Sequence, residues 1–174
     1  DAVRFNSAIA EKHSTILTDL GLQNGEYAAV TIHRPVNTEP DTLRSLINTL
    51  SKIGDEMLPV VFPIHPRTRQ VLGKESIRAS DGLRIVDPLP YLDMLSLVQN
   101  ARLVLTDSGG LQKDAAFLGT PCVTLREETE WTETIELGAN TLTGSDPRRI
   151  SAAVQEIFAR PDTDWSSKLA QHYG

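Results

Sequence analysis

The sequence holds a single cysteine, Cys122, so no intrachain disulfide can form and no cysteine-built metal quartet can be assembled. Cys122 sits in the apolar run Pro121-Cys-Val-Thr-Leu125, where a small thiol reads as core filling. No apolar run approaches the roughly 20 residues that cross a bilayer. No secretory leader pattern is present either, which predicts a cytoplasmic protein with no membrane partner. Basic residues are too few for a nucleic-acid stripe, and those present are not interleaved with aromatics, so nucleic acid is excluded as a partner. With 17 Lys and Arg against 23 Asp and Glu, the net charge is -6. A negatively charged ligand must therefore be held by local groups against the overall field. Linkers, internal repeats and low-complexity tracts are also missing. The chain starts at Asp1 without Met and stops at Gly174, the look of a piece of a longer protein.

What remains is 174 residues, 40% hydrophobic, enough for one domain with a core of its own. Residues 3–20 place Val3, Ile9, Ile16, Leu17 and Leu20 at the spacings of an amphipathic helix ended by Gly21. Tyr27–Ile32, Leu58–Ile64, Leu83–Val86, Leu103–Leu105, Pro121–Leu125 and Asn140–Thr143 read as short strands, most of them apolar enough to be buried on both faces. Between them lie helical patterns. One starts within Thr38–Asp41 and turns Leu43, Leu46, Ile47, Leu50 and Ile53 inward. Others cover Thr68–Leu72, Tyr91–Gln99, Leu111–Leu118 and Glu133–Leu137. A closing helix is lined by Ile150, Val154, Ile157 and Phe158, and another begins at Trp165–Leu169. Strands alternating with helices predict an α/β fold, a parallel sheet with helices on both faces.

In such sheets ligands bind beyond the carboxyl ends of the strands. His33 and Arg34 follow the first strand, His65 and Arg67 the second, and Arg126–Glu130 the fifth. The stretch Arg102–Pro121 organises the chain: strand, Thr106-Asp-Ser-Gly-Gly110 turn, then helix. Thr106, Asp107 and Ser108 can cap that helix, and the two glycines let a ligand approach the backbone. Free N–H groups and the positive dipole end at such a helix start suit a phosphate.

His33-Arg-Pro-Val-Asn37, His65-Pro-Arg67, Thr106-Asp-Ser-Gly-Gly-Leu-Gln112, Gly119-Thr-Pro121, Arg126-Glu-Glu-Thr-Glu-Trp131 and Glu136-Leu-Gly-Ala-Asn140, in this order over nearly the whole chain, resemble the non-hydrolysing UDP-N-acetylglucosamine 2-epimerases. The resemblance implies one Rossmann-like, UDP-binding domain over residues 1–174. It would be the C-terminal half of a longer two-domain enzyme of the GT-B type, expected to work as a homodimer. It implies a UDP-sugar substrate, no cofactor and no metal. Family members eliminate UDP, form a glycal and add UDP back after reprotonation at C2. Carried over, Ser108, Gly109 and Gly110 bind the diphosphate, and Asp114 holds the ribose hydroxyls. His33 is the functional histidine, touching phosphate or assisting proton transfer. Arg34 and His65 match cleft residues that bind a second, activating UDP-sugar in some members. Pro88–Met94, with Tyr91 and Met94, lies along the uracil. The family's main acid and base carboxylates belong to the other half, so this chain alone is expected to bind UDP and not to epimerise.

The chain departs from the family pattern at three places. Pro35-Val36 stand where many members carry Arg-Glu, Lys113-Asp114 where many carry Glu-Glu, and Trp131 where others carry Arg. Trp131 removes a charge near the nucleotide and leaves a flat face for stacking or packing. Blander readings apply elsewhere: His13, His172 and Lys113 as surface, Arg67 and Arg69 as a solvated face, and Glu127, Glu128 and Glu130 as an ordinary acidic loop. Three rival functions stand beside the epimerase: a GT-B glycosyltransferase, a hydrolysing 2-epimerase and a non-catalytic nucleotide-binding module. Glu128 and Glu136 match the spacing of the paired glutamates of retaining transferases. Here, however, they follow Gly119-Thr-Pro121 instead of preceding it.

Overall fold

The apolar runs form strands and the 3.6-residue patterns form helices. In the computed structural model, which describes residues 2–160 and 165–173, α1 (Ala2–His13) and α2 (Ile16–Leu20) lead into β1 (Ala28–Thr31). Then come α3 (Pro35–Thr38), α4 (Pro40–Glu56), β2 (Val60–Pro63), α5 (Pro66–Lys74) and β3 (Leu83–Val86). After these follow α6 (Tyr91–Gln99), β4 (Leu103–Thr106), α7 (Gly109–Phe117) and β5 (Cys122–Thr124). The described chain closes with α8 (Thr132–Glu136), β6 (Asn140–Leu142), α9 (Pro147–Ala159) and α10 (Ser166–Tyr173). All six strands are parallel, in the order β3-β2-β1-β4-β5-β6. The α/β, Rossmann-like architecture expected from the alternation is therefore present.

Alternating side chains along the strands feed two cores, as a pleated strand requires. Val30, Phe62, Leu105 and Val123 face α4 and α9, where Leu46, Ile47, Leu50, Ile150 and Val154 are buried. Ala29, Val61, Val104 and Cys122 face the opposite side, against Leu97 and Val98 of α6 and Ala115 of α7. A third, smaller cluster joins Ala116 and Phe117 of α7 to Trp165 and Leu169, so α10 clamps the ligand-side helix from behind. Among the described residues no helix is long and apolar enough to cross a membrane.

Two sequence expectations are corrected. The helix read over residues 3–20 is two helices: Ser14 N–H still closes a helical bond to the Ala10 carbonyl at 2.8 Å, but its hydroxyl donates to Asp93 of α6 at 2.6 Å and accepts from Ile16 N–H at 3.3 Å, and the ladder breaks there. A serine that bonds side chain to backbone in this way competes with helix continuation. Phe158, placed on the inner face of α9, is instead 37% exposed, and its ring receives the Arg102 guanidinium at 5.2 Å. The short α3 was not anticipated. Pro35 supplies the pre-set φ of a first helical position.

Burial pushes the Cys122 thiol from its ordinary 9.0 up to about 12. A weak acid whose folded pKa is raised favours the folded state below its unfolded value and withdraws that support as pH climbs above it. Cys122 is thus expected to stay unlabelled by iodoacetamide in the native protein at pH 8, with stability declining above pH 9. Mass spectrometry showing rapid native labelling would contradict this.

Candidate functional site

The strand order reverses between β1 and β4, and the crevice beyond their carboxyl ends is where an open parallel sheet receives ligands. Thr31 and Thr106 close the two strands with a hydroxyl contact of 2.6 Å. Thr106 also accepts the N–H of Ser108 at 3.0 Å, which bends the chain out of β4 into α7.

Asp107 sits at this junction and is completely buried. Its carboxylate accepts the backbone N–H of His33 at 3.1 and 3.2 Å, that of Arg34 at 3.0 Å, and Asn37 Nδ2 at 2.9 Å. Asn37 donates a second time, to the Leu125 carbonyl at 3.0 Å, tying in the end of β5. Arg34 Nε reaches the Asp107 carbonyl at 3.2 Å, and His33 Nε2 lies 3.5 Å from Asp107 Oδ1. Sequence reasoning took Asp107 as a helix cap. The cap is Ser108 alone, whose Oγ accepts Leu111 N–H at 3.3 Å. Asp107 instead holds together three strand ends, a role its sequence neighbours could not reveal.

The first intrahelical donor of α7 is Gln112 N–H, to Ser108 O. The N–H groups of Gly109 and Gly110 therefore point out of the helix without an acceptor among the described residues. Around them lie an acid, two bases and a ring. Arg126 pairs with Glu130 (Nη2 to Oε2, 3.1 Å), its own side chain only 14% exposed. A Cβ built on Gly109 would lie 2.5 Å from Glu130 Oε1 and 3.7 Å from Arg126 Nη1, so the Glu130 carboxylate rests over the helix start. The hydrogen bond from Arg126 and one from its own backbone, with the Arg126 and Arg34 charges, hold Glu130 below the usual carboxylate range. Glu130 is thus more than loop acidity: an internal anion occupies the region that sequence reasoning assigned to phosphate.

Trp131 is fixed by Nε1 donating to the Gly109 carbonyl at 2.8 Å. Lys113, expected in solvent, instead places its ammonium 4.9 Å from the Trp131 ring, 5.7 Å from Phe117 and 5.6 Å from Tyr173. Cation–π attraction offsets the loss of hydration there. Tyr173 in turn donates to Glu133 at 2.5 Å, which fastens α10 to α8. Gln112, fully buried, accepts from Thr129 at 2.6 Å and Asn140 at 3.2 Å, so the loop carrying Arg126–Trp131 is anchored to α7. The carboxylate of Asp114, half-buried in the same helix, accepts no hydrogen bond among the described residues. Burial raises its pKa, with Lys113 opposing.

On the other side of His33, two cavities open. One of about 460 Å³ is lined by His33, Pro35, Thr38, His65 and Arg67. A smaller one of about 210 Å³ holds His33, His65, Pro88, Leu89 and Met94. His65 is also the N-cap of α5, its Nδ1 accepting Arg67 N–H at 3.1 Å. Tyr91 opens α6 and is 54% exposed. The structure thus joins His33, His65 and Met94 in one crevice, and Ser108, Gly109, Gly110 and Trp131 in another region that Asp107 and Arg34 connect to it. No group of three His, Cys, Asp or Glu able to hold a metal ion occurs among the described residues.

A family model described as UDP-N-acetylglucosamine 2-epimerase matches residues 1–174. A "UDP-N-acetylglucosamine 2-epimerase homolog" of Methanococcus maripaludis is 42% identical over 160 residues, 89% of this chain and 44% of that protein. The UDP-2,3-diacetamido-2,3-dideoxy-D-glucuronate 2-epimerase of Pseudomonas aeruginosa is 40% identical over 146 residues, 83% of this chain and 40% of that protein. The crystal structure of Methanocaldococcus jannaschii UDP-GlcNAc 2-epimerase, in complex with UDP-GlcNAc and UDP, superposes with a TM-score of 0.82 at 31% identity. It covers 99% of this chain and 52% of that one. The chain therefore spans about half the length of the relatives it matches. With the reversed strand order, the glycine-led helix start and the full-length family match in agreement, this chain belongs to the UDP-N-acetylglucosamine 2-epimerase family.

Proposed function

We propose that residues 1–174 form the UDP-binding half of a non-hydrolysing UDP-N-acetylglucosamine 2-epimerase, the C-terminal domain of a two-domain enzyme that works as a cytoplasmic homodimer. The observation that carries this reading is the pair of N–H groups on Gly109 and Gly110 with no acceptor among the described residues, at the helix start that follows Asp107, which holds His33 and Arg34 where the strand order reverses.

The chemistry needs such a seat. C2 of a nucleotide sugar has no neighbouring carbonyl to stabilise a carbanion, so inversion proceeds by elimination of UDP from C1 together with the C2 proton to give a glycal, then reprotonation of C2 on the other face and return of UDP to C1. The greatest charge to be stabilised is that of the departing diphosphate. Preorganised N–H donors meet it without reorganisation at the moment of bond breaking. In this reading Ser108, Gly109 and Gly110 receive the diphosphate and Glu130 yields its place, leaving Arg126 to face the ligand. Asp114 accepts the ribose hydroxyls, a task suited to a half-buried carboxylate with unused acceptors. Tyr91 and Met94 flank the uracil, Trp131 closes the seat, and Arg34 and His65 face the sugar side. The acid and base carboxylates come from the other half, so this chain alone binds UDP without turnover.

Two variants test the seat. A Cβ on Gly110 would meet only Ser108 Oγ, at 4.0 Å, so the fold does not require glycine there. Gly110→Val is expected to fold normally and to lose UDP affinity by about tenfold or more, the scale set by one displaced charge-assisted hydrogen bond. Glu130→Gln removes the competing charge and is expected to raise UDP affinity about two- to fivefold, in line with the small worth of exposed ion pairs. Calorimetric titration checks both. The function itself is tested by adding UDP-GlcNAc to the complete enzyme and following the C2 epimer by proton NMR, alongside a UDP titration of the Ser108–Leu111 amides. Net UDP release would favour a hydrolysing enzyme, and transfer only with an acceptor would favour a glycosyltransferase.

A second substrate is favoured by the 40% identity to the diacetamido-glucuronate enzyme. Both nucleotide sugars share the UDP end that this half would hold and the C2 that is inverted. Running each through the same NMR assay distinguishes them.

A further inference from the structure

His33 is the one candidate catalytic side chain proposed in this half, yet its side chain is 55% exposed. A side chain in that state has several rotamers and two neutral tautomers open to it. Something else must select one. The group in contact with it is Asp107, which the proposed reaction does not otherwise use. It is a fully buried carboxylate, saturated by the backbone N–H of His33, that of Arg34 and the Asn37 amide, with Oδ1 3.5 Å from His33 Nε2.

We infer that Asp107 is the positioning residue for His33: it fixes the backbone of His33 and, through Nε2, the tautomer and direction of its ring. This rests on the reading of His33 as the group that meets the departing or returning phosphate. Three physical points support it. A buried charge left unpaired is strongly destabilising, so a carboxylate kept at this depth is held by its donors, and the donors are held by it. The carboxylate accepts the N–H of residue 33 and also stands 3.5 Å from its ring Nε2, close enough to take a proton carried there once the ring turns toward it, which a merely structural tie between strands would not need. A proton on Nε2 facing Oδ1 leaves Nδ1 as the ring nitrogen without a protein partner among the described residues. That nitrogen, on a residue lining both cavities, then accepts or delivers the proton. The same division of roles, a carboxylate orienting an imidazole whose other nitrogen reacts, recurs on unrelated folds.

The experiment uses the complete enzyme with UDP-GlcNAc. Asp107→Asn is expected to lower kcat about 10²-fold with KM little changed. In a His33→Gln background the same substitution is expected to cost nothing further in kcat. An equal kcat loss in both backgrounds, or a loss carried by KM instead of kcat, would overturn the inference and leave Asp107 a structural tie. Because Asp107→Asn can fail to fold, the tautomer is also read directly in the wild-type enzyme. Selective 15N-histidine labelling at pH 8 is expected to show His33 protonated on Nε2, and a proton on Nδ1 would sink the idea with no variant needed. If His33→Gln alone left turnover intact, it would be the catalytic reading of His33 that fell, and the tautomer measurement would still decide the orientation.

Discussion

Turnover of the complete enzyme is expected to fall about 10²-fold or more when His33 becomes alanine, the usual contribution of a positioned proton carrier. The argument rests on where the side chain stands. His33 leaves β1 at the reversal of strand order, with its backbone fastened to Asp107 and its ring in two cavities at once. The side chain is 55% exposed, so trimming it opens no buried void, and large-to-small penalties of core residues do not apply. Thermal stability should stay close to wild type while the rate collapses, and that divergence is the diagnostic result. Steady-state rates from coupled UDP-GlcNAc turnover, measured beside a melting curve, check it. A variant that turns over normally would reduce His33 to a strand-end residue.

Gly54→Ala is expected to have an effect of comparable size on a different property. A Cβ on Gly54 would lie 2.2 Å from the Gly82 carbonyl oxygen and 2.4 Å from its carbon. These are backbone atoms leading into β3, and no rotamer change can relieve the overlap. Either α4 lifts away from the sheet or the turn before β3 moves, and both disturb a core in which Ile53, Leu58 and Leu83 are buried. Overpacking of this kind costs about 3 kcal/mol, a fall in Tm of roughly 10 °C for a domain of this size. Gly82→Ala should do the same, since its own Cβ would meet Gly54 C at 2.3 Å and Asp55 N at 2.5 Å. Chemical denaturation gives the measure, and a variant as stable as wild type would show that the helix can shift freely here. UDP binding, on the far edge of the sheet, should persist in whatever fraction stays folded.

Much of the architecture was written locally. Val104 and Leu105 lie in a run apolar enough for burial on both faces, and the inward stripe of α4 emerged as read, from Leu43 to Ile53. Ser108 before two glycines announced a helix start open to an anion, and the cap is there. Failures came wherever a partner distant in sequence decided the outcome. Asp107 looked like a cap because its true donors, His33, Arg34 and Asn37, lie more than 70 residues away or close to it. Lys113 looked solvated because the rings that receive it come from α10 and the loop after β5. Ser14 looked like mid-helix because Asp93, which takes its hydroxyl where the helix breaks, belongs to another helix. Glu130 carried no local mark distinguishing it from its acidic neighbours, and only the folded loop sets it above Gly109. Periodicity and capping report on the next few residues, whereas a site at a strand junction is assembled from contacts that periodicity cannot see.

The pairing of β1 with β4 has a kinetic corollary. Thr31 meets Thr106, 75 positions further along the chain, so the middle of the sheet is its least local strand pairing. Closing so long a loop is entropically costly before any contact rewards it. Local crossover units such as β4-α7-β5 can form early, but the crevice exists only after the two halves of the sheet have met. A chain emerging in stages would therefore hold no half-built receptor for nucleotide, and the appearance of UDP affinity during refolding would mark the completion of the domain.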